Sequence, residues 1–135
     1  MATIKSFTDI SQSKKLAEIL PIDSADMWYQ YTGISIKDGS EKSIYFPMVI
    51  RDCESDEDIP CWSLSALLEV LPNNENISTN LSKGGYRIST LEYTNSWFVD
   101  YEDETNGLNN CVTSADNPID ACVAMIEKLH ELKML

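Results

Sequence analysis

Apolar positions recur with a helical period in three segments, and each segment carries its own start signal. Asp9 is a good N-cap for the first helix, and Gln12 stands where it would complete a capping box. Ser63 is the expected N-cap of the second helix, and Asn117, followed by proline, that of the third. The predicted helices run from Ile10 to Leu20, from Ser63 to Pro72 and from Pro118 towards Leu132.

Each of these helices has an apolar face, which in the first helix comprises Leu16, Ile19 and Leu20. Trp62 and Leu67 have the spacing of a hydrophobic staple at the start of the second helix. The stripe of the second helix comprises Leu64, Leu67, Leu68 and Leu71. The stripe of the third helix comprises Ile119, Cys122, Val123, Ile126 and Leu129.

Strand-like runs fill the space between the helices. Met27–Ile36 and Ser43–Ile50 flank an Asp-Gly pair, which is a strong signal for a hairpin. Pro47 lacks an amide hydrogen, so the second of these strands is expected at an edge or with a bulge.

The second half of the chain also contains strand-like runs. Gly85–Tyr93 and Trp97–Glu102, with a turn at 94–96, predict a second hairpin. Ile77–Leu81 is a candidate short extended piece in a polar loop, and Leu108–Thr113 a candidate last strand. The fold class that follows is α+β, with element order α-β-β-α-β-β-(β)-α. We expect one domain over residues 1–135, in which three helices form a second layer on an antiparallel sheet of four to five strands.

Charge narrows the classes of partner. The net charge is −12 and the pI about 4.3, so direct binding to nucleic acid or to an anionic membrane is disfavoured. Acidity also keeps a small protein in solution, and it suits a surface that meets a basic partner.

Candidate chemistry is sparse in the sequence. Four cysteines without a Cys-x-x-Cys pair, and one histidine, make no zinc motif. Cys61 precedes a helix start, where the dipole can lower a thiol pKa, and His130 is expected to be a partly buried structural residue. Without a signal peptide or a long apolar run, we expect a cytoplasmic protein with free thiols and no cofactor.

Two acidic segments are candidate sites. Asp52–Asp58 opens like a calcium loop but lacks the glycine and the final glutamate of an EF-hand, so a divalent ion there stays an open question. Asp100–Glu104 offers paired carboxylates for acid–base work, although the polar loop provides no apolar pocket to separate their pKa values. We assign no catalytic or metal-binding residue.

Aromatic residues suggest a recognition surface. Neighbours in a strand point to opposite faces, so the aromatic pairs at 28–29 and 97–98 place aromatics on both sides of a sheet. Exposed aromatics rimmed by polar groups are typical of a partner surface or of a homodimer face. The candidate partner surface comprises Trp28, Tyr31, Tyr93, Phe98, Asp100 and Glu102.

Three segments, Phe7–Pro21, Ile59–Pro72 and Asp116–Leu132, together resemble a group of short uncharacterised proteins of gut Bacteroides-type bacteria, often encoded beside phage or other mobile-element genes. The shared features are helix starts and core patterns. The resemblance implies a bacterial cytoplasmic accessory protein of mobile-element origin, and it carries over no catalytic or binding residue.

The leading functional hypothesis is a non-enzymatic, cytoplasmic protein-binding or adaptor domain. One alternative is an acidic inhibitor that mimics nucleic acid, which the net charge of −12 and the mobile-element context favour. Another is a small hydrolase or transferase with a carboxylate site at Asp100–Glu104.

Overall fold

The computed structural model describes residues 5–37, 39–48, 53, 55–84, 86–87, 92–93, 96–104 and 111–135. The helices within these ranges are α1 (Ile10–Ile19), α2 (Leu64–Val70) and α3 (Pro118–Glu131), with one 3-10 turn at Ile22–Ser24. The strands are β1 (Met27–Lys37), β2 (Ser40–Met48), β3 (Ile59–Cys61), β4 (Ile77–Lys83), β5 (Tyr86–Arg87), β6 (Glu92–Tyr93), β7 (Trp97–Asp103) and β8 (Cys111–Ala115). The α+β class and the three predicted helices are confirmed.

The strands form two separate three-stranded antiparallel sheets, in the orders β2-β1-β3 and β4-β7-β8, together with the antiparallel pair β5-β6. The prediction of a single sheet is therefore wrong. β3, which was not among the predicted strands, pairs with β1. The arrangement of the helices and sheets in two layers stays a prediction.

The predicted second hairpin is also wrong. β7 lies between β4 and β8, and β5 pairs with β6 rather than with β7. Alternation in a sequence determines which side chains share a face, but the choice of partner strand depends on contacts between distant segments. The short extended piece predicted at Ile77–Leu81 is confirmed as β4, and the last strand lies at Cys111–Ala115.

The first hairpin is confirmed, and β2 is an edge strand among the described residues, as Pro47 indicated. The irregularity lies in β1, where the register shifts between Tyr31 and Gly33. Asp58 supports this bulge, since its carboxylate accepts a hydrogen bond from the Tyr31 amide at 2.8 Å. Gly39 adopts a φ of +81°, which suits the tight turn.

Side chains cap all three helices at the predicted residues. Asp9 and Gln12 complete a capping box at α1, with the Gln12 amide donating to Asp9 Oδ1 at 2.7 Å. Ser63 accepts a hydrogen bond at α2, and Asn117 does so at α3. None of the helices in the described part of the chain is long and apolar enough to cross a membrane.

The main core joins the three helices to the β4-β7-β8 sheet. Every member of the predicted α3 stripe is buried, and so are Ala121 and Met125 beside it. The predicted α2 stripe needs one correction. Leu67 is fully buried but Leu68 is 42% exposed. The face of α2 that packs against the core is therefore the one that contains Ala66 and Leu67, and Leu68 lies outside it.

A polar network ties the start of α3 to the segment before α1. Lys5 Nζ donates to Asp120 Oδ1 at 2.8 Å, and Gln12 Nε2 donates to the same oxygen at 2.7 Å. Asn117 Nδ2 donates to Asp120 Oδ2 at 2.8 Å. Partial burial by itself would raise the pKa of Asp120, but the hydrogen bonds from Lys5, Gln12 and Asn117 outweigh it and lower that pKa.

We expect Asp120→Asn to lower the free energy of unfolding by about 1 kcal/mol at pH 7, an amount kept small by solvent screening of a partly exposed carboxylate. A depressed folded-state pKa contributes stability above the unfolded-state value, and this stability is lost as the pH falls through the folded-state pKa. The difference from the wild type should therefore shrink below about pH 4. Urea unfolding from pH 7 to pH 2.5 measures it, with the exposed Glu75→Gln as the control. A pH-independent difference would refute this role of the ionised carboxylate.

Candidate functional site

The β4-β7-β8 sheet is covered on one face. Val99 and Tyr101 of β7 are buried in the main core on that face. Thr113 of β8 points the same way, since its hydroxyl donates to the carbonyl oxygen of Ala121 in α3 at 2.9 Å. The neighbouring positions in each strand therefore point away from α3.

The opposite face of this sheet, which we call the open face, is the candidate site. Strand register places Phe98 beside Ser82 and Ser114, and Asp100 beside Asn80 and Val112. The open face comprises Ser78, Asn80 and Ser82 of β4, Phe98, Asp100 and Glu102 of β7, and Val112 and Ser114 of β8. It combines carboxylates with small polar side chains and a little apolar surface.

The carboxylates of the open face are available to a ligand. Neither Asp100 nor Glu102 forms a side-chain hydrogen bond or an ion pair with the residues that the structure describes. Glu102 is exposed and Asp100 half-buried, while Val112 beside Asp100 is 50% exposed. The arrangement can accept hydrogen bonds from cationic groups and offers an apolar contact next to them.

Lys83 adjoins the open face in sequence but belongs to the other side of the sheet. Its Nζ lies 5.9 Å from the centre of the Trp97 ring, and Trp97 packs against the main core. The open face itself contains no basic residue among its described members. Its charge is therefore purely negative.

The structure brings together only part of the predicted partner surface. Phe98, Asp100 and Glu102 share the open face, whereas Trp28 and Tyr31 belong to the other sheet. Tyr31 is half-buried and packs edge-on against Tyr45, with ring centres 5.8 Å apart. The strand pairing of Tyr93 is described, but its side chain lies outside the described set.

The expectation that Trp28 is exposed is wrong. Trp28 is 7% exposed and Tyr29 is 6% exposed. Because neighbours in a strand point to opposite faces, both faces of β1 are covered at this point, where β3 joins the strand. We therefore leave Trp28 out of the candidate site, and a binding role for the rest of the predicted surface stays a prediction.

The β4 and β8 members of the open face are not among the residues predicted for the partner surface. A signal was present in β4, where Ser78, Asn80 and Ser82 alternate with the more apolar Ile77 and Leu81. The abundance of serine and asparagine is typical of a loop, so only a short extended piece at Ile77–Leu81 was predicted within it.

A second unusual surface lies at the outer half of the first hairpin, which we call the hairpin arm (Ile34–Lys37 and Ser40–Ile44). Ile34 and Ile36 point to one face of the arm, and Ile44 to the other. All three are exposed, Ile36 to 71%. The sequence pattern of these isoleucines does not indicate their exposure. They are exposed because β3 pairs only with Met27–Tyr29 and the arm extends beyond it.

None of the four thiols is activated. Burial raises the pKa of Cys122 to about 11, and it also raises the pKa of Cys61 and Cys111. The pKa of Cys53 is raised as well, by desolvation and by the nearby Asp58 carboxylate. The lowering of the Cys61 pKa that its place before a helix suggested is therefore outweighed by burial. All four thiols are protonated at neutral pH.

Two clefts are lined by residues that were candidates for chemistry, His130 in one and Cys53 with Asp58 in the other. One, of about 410 Å³, lies between α1 and α3 and contains Glu18, Glu127 and His130. His130 is exposed there, which corrects its expected partial burial. The other, of about 520 Å³, is bordered by Cys53 and Asp58, but Asp58 already accepts backbone hydrogen bonds from Tyr31 and Ser55.

Neither acidic segment gains support as a chemical site. The clefts that we describe are lined by residues other than Asp100–Glu104. Within the described part of the chain, no three His, Cys, Asp or Glu side chains are placed to hold a metal ion. The first acidic residues of the calcium-loop candidate, Asp52 and Glu54, lie outside the described residues.

Comparison of the chain with protein-family models, with curated proteins and with solved structures finds no match.

Proposed function

We propose that the chain is a non-enzymatic protein-binding domain that engages its partner through the open face of the β4-β7-β8 sheet. The observation that carries the proposal is the pair Asp100 and Glu102, which have no partner among the described residues, beside the half-exposed Val112. Polar and apolar groups mixed in this way are typical of the rim and centre of protein interfaces.

A rigid support favours this role. The open face is built on the middle strand of a sheet whose opposite side is anchored in the main core by Val99 and Tyr101. A partner therefore meets a strand backbone that is already held in position, which reduces the entropy lost on binding. The net charge of −12 adds long-range attraction to a basic partner and speeds its association.

The test is a bulky substitution at the middle of the open face. Asn80→Tyr covers Asp100 with a side chain that a strand tolerates, and it should reduce retention of the partner by about tenfold or more. The measurement is quantitative mass spectrometry of proteins captured by the tagged chain from a lysate of its source cells.

The control places the same residue on a strand away from the open face. Ser43→Tyr lies at an exposed position of the hairpin arm and should retain the partner as the wild type does. Identical proteins captured by all three chains, or an empty capture, would contradict the proposal. Loss of the partner with Ser43→Tyr alone would assign binding to the hairpin arm instead.

A further inference from the structure

The spacing of the carboxylates on the open face follows the repeat of a β-strand. Asp100 and Glu102 are two residues apart on β7, so their Cα atoms are about 7 Å apart along the strand. Phe98 lies two residues before Asp100 on the same face of β7, so it extends the row at the end opposite Glu102. The row runs parallel to the strand along the middle of the sheet.

Small side chains flank this row on both sides. Ser82, Asn80 and Ser78 follow it along β4, and Ser114 lies across from Phe98 on β8. Short side chains leave the carboxylates accessible, and their hydroxyl and amide groups can bond to a neighbouring backbone or side chain. The result is a shallow polar track that is one strand wide.

The polarity of the track selects an extended partner over a helical one. A helix that packs on a sheet buries a broad apolar stripe, as α3 does against Val99 and Tyr101 on the covered face. The open face offers serine and asparagine where such a stripe would need apolar partners. An extended segment, whose alternate side chains also repeat at about 7 Å, matches the row residue by residue.

We infer that the partner presents an extended basic segment, with lysine or arginine at alternate positions, which lies along β7 and pairs with Asp100 and Glu102. This inference rests on the proposed function. Charge complementarity supports it, because the open face has carboxylates and no basic residue among its described members. The apolar parts of long basic side chains would cover Val112 and the half-buried ring of Phe98.

The experiment uses two synthetic peptides of equal composition and charge. One alternates the residues, Ser-Lys-Ser-Lys-Ser-Lys-Ser, and the other, Ser-Lys-Lys-Ser-Ser-Lys-Ser, has no two lysines at alternate positions. Fluorescence anisotropy with the full chain should show the alternating peptide bound about two- to fivefold more tightly, as one additional surface ion pair implies. High salt should weaken this preference.

Two matched double variants distinguish binding at the open face from nonspecific attraction of a basic peptide to an acidic protein. Asp100→Asn/Glu102→Gln should reduce the ratio of the two affinities to about one. Glu127→Gln/Glu131→Gln on α3 removes the same charge elsewhere and should leave the ratio unchanged. Thermal unfolding establishes that both variants are folded.

Equal binding of the two peptides, or the same ratio in both double variants, would overturn the inference. The proposed function has a separate outcome, because Asn80→Tyr blocks the open face for a partner of any charge. Loss of the natural partner with Asn80→Tyr but not with Asp100→Asn/Glu102→Gln would keep the binding face and reject the basic segment.

Discussion

Replacement of Trp62 by alanine should lower the free energy of unfolding by about 3–5 kcal/mol, the largest effect that we expect from a single substitution. Trp62 is 0% exposed and has the largest side chain among the fully buried residues of the described core. Its indole Nε1 donates to the hydroxyl of Ser24 at 2.9 Å, so the substitution removes packing and a hydrogen bond together. Urea unfolding followed by circular dichroism measures the loss.

The loss should depend on how much of the ring is removed. Trp62→Phe keeps an aromatic ring but not the indole donor, and it should cost clearly less than Trp62→Ala. Ile36→Ala, at a position that is 71% exposed, should change the free energy by no more than about 0.5 kcal/mol. A loss below about 1 kcal/mol for Trp62→Ala would mean that the core is not organised around this residue.

Leu67→Ala should cost about 2–5 kcal/mol, whereas Leu68→Ala should cost about 0.5 kcal/mol or less. The two residues are neighbours in α2 and the substitutions are identical, so the change in helix propensity largely cancels. They differ in burial, since Leu67 is fully buried and Leu68 is 42% exposed. The comparison therefore isolates the contribution of packing.

The same pair distinguishes the observed orientation of α2 from the sequence-based one. A stripe of Leu64, Leu67, Leu68 and Leu71 predicts that both substitutions are costly. Similar losses for Leu67→Ala and Leu68→Ala, measured by urea unfolding, would contradict the orientation of α2 in the structure.

Helix positions were predictable because their signals are local. The capping side chains Asp9, Ser63 and Asn117 bond to backbone groups three residues away, and proline ends or begins a helix through its own ring. The first hairpin was predictable for the same reason, since a turn at Gly39 connects neighbouring segments.

The partners of the later strands were not predictable in this way. β7 pairs with β4 and β8, and these pairings depend on complementary surfaces that meet only in the folded chain. The two faces of β7 nevertheless follow the alternation of its sequence, since Val99 and Tyr101 are buried while Asp100 and Glu102 point the other way.

Part of the candidate site was predictable because it lies within a single strand. Phe98, Asp100 and Glu102 lie in one strand, so their shared face follows from a period of two. The burial of Trp28 could not be predicted, because it depends on β3, a strand of three residues without a pattern of its own. The exposure of the hairpin arm could not be predicted either, because it results from the short pairing of β3, which covers only Met27–Tyr29 of β1.

The most direct test of the account is an NMR titration of the isotope-labelled full chain with the alternating lysine peptide. Binding at the open face predicts that the largest amide shifts fall in β4, β7 and β8, centred on Asn80, Asp100 and Val112. Largest shifts in the cleft between α1 and α3 or on the hairpin arm, or no localised shifts at all, would contradict the claim that the open face is the binding surface.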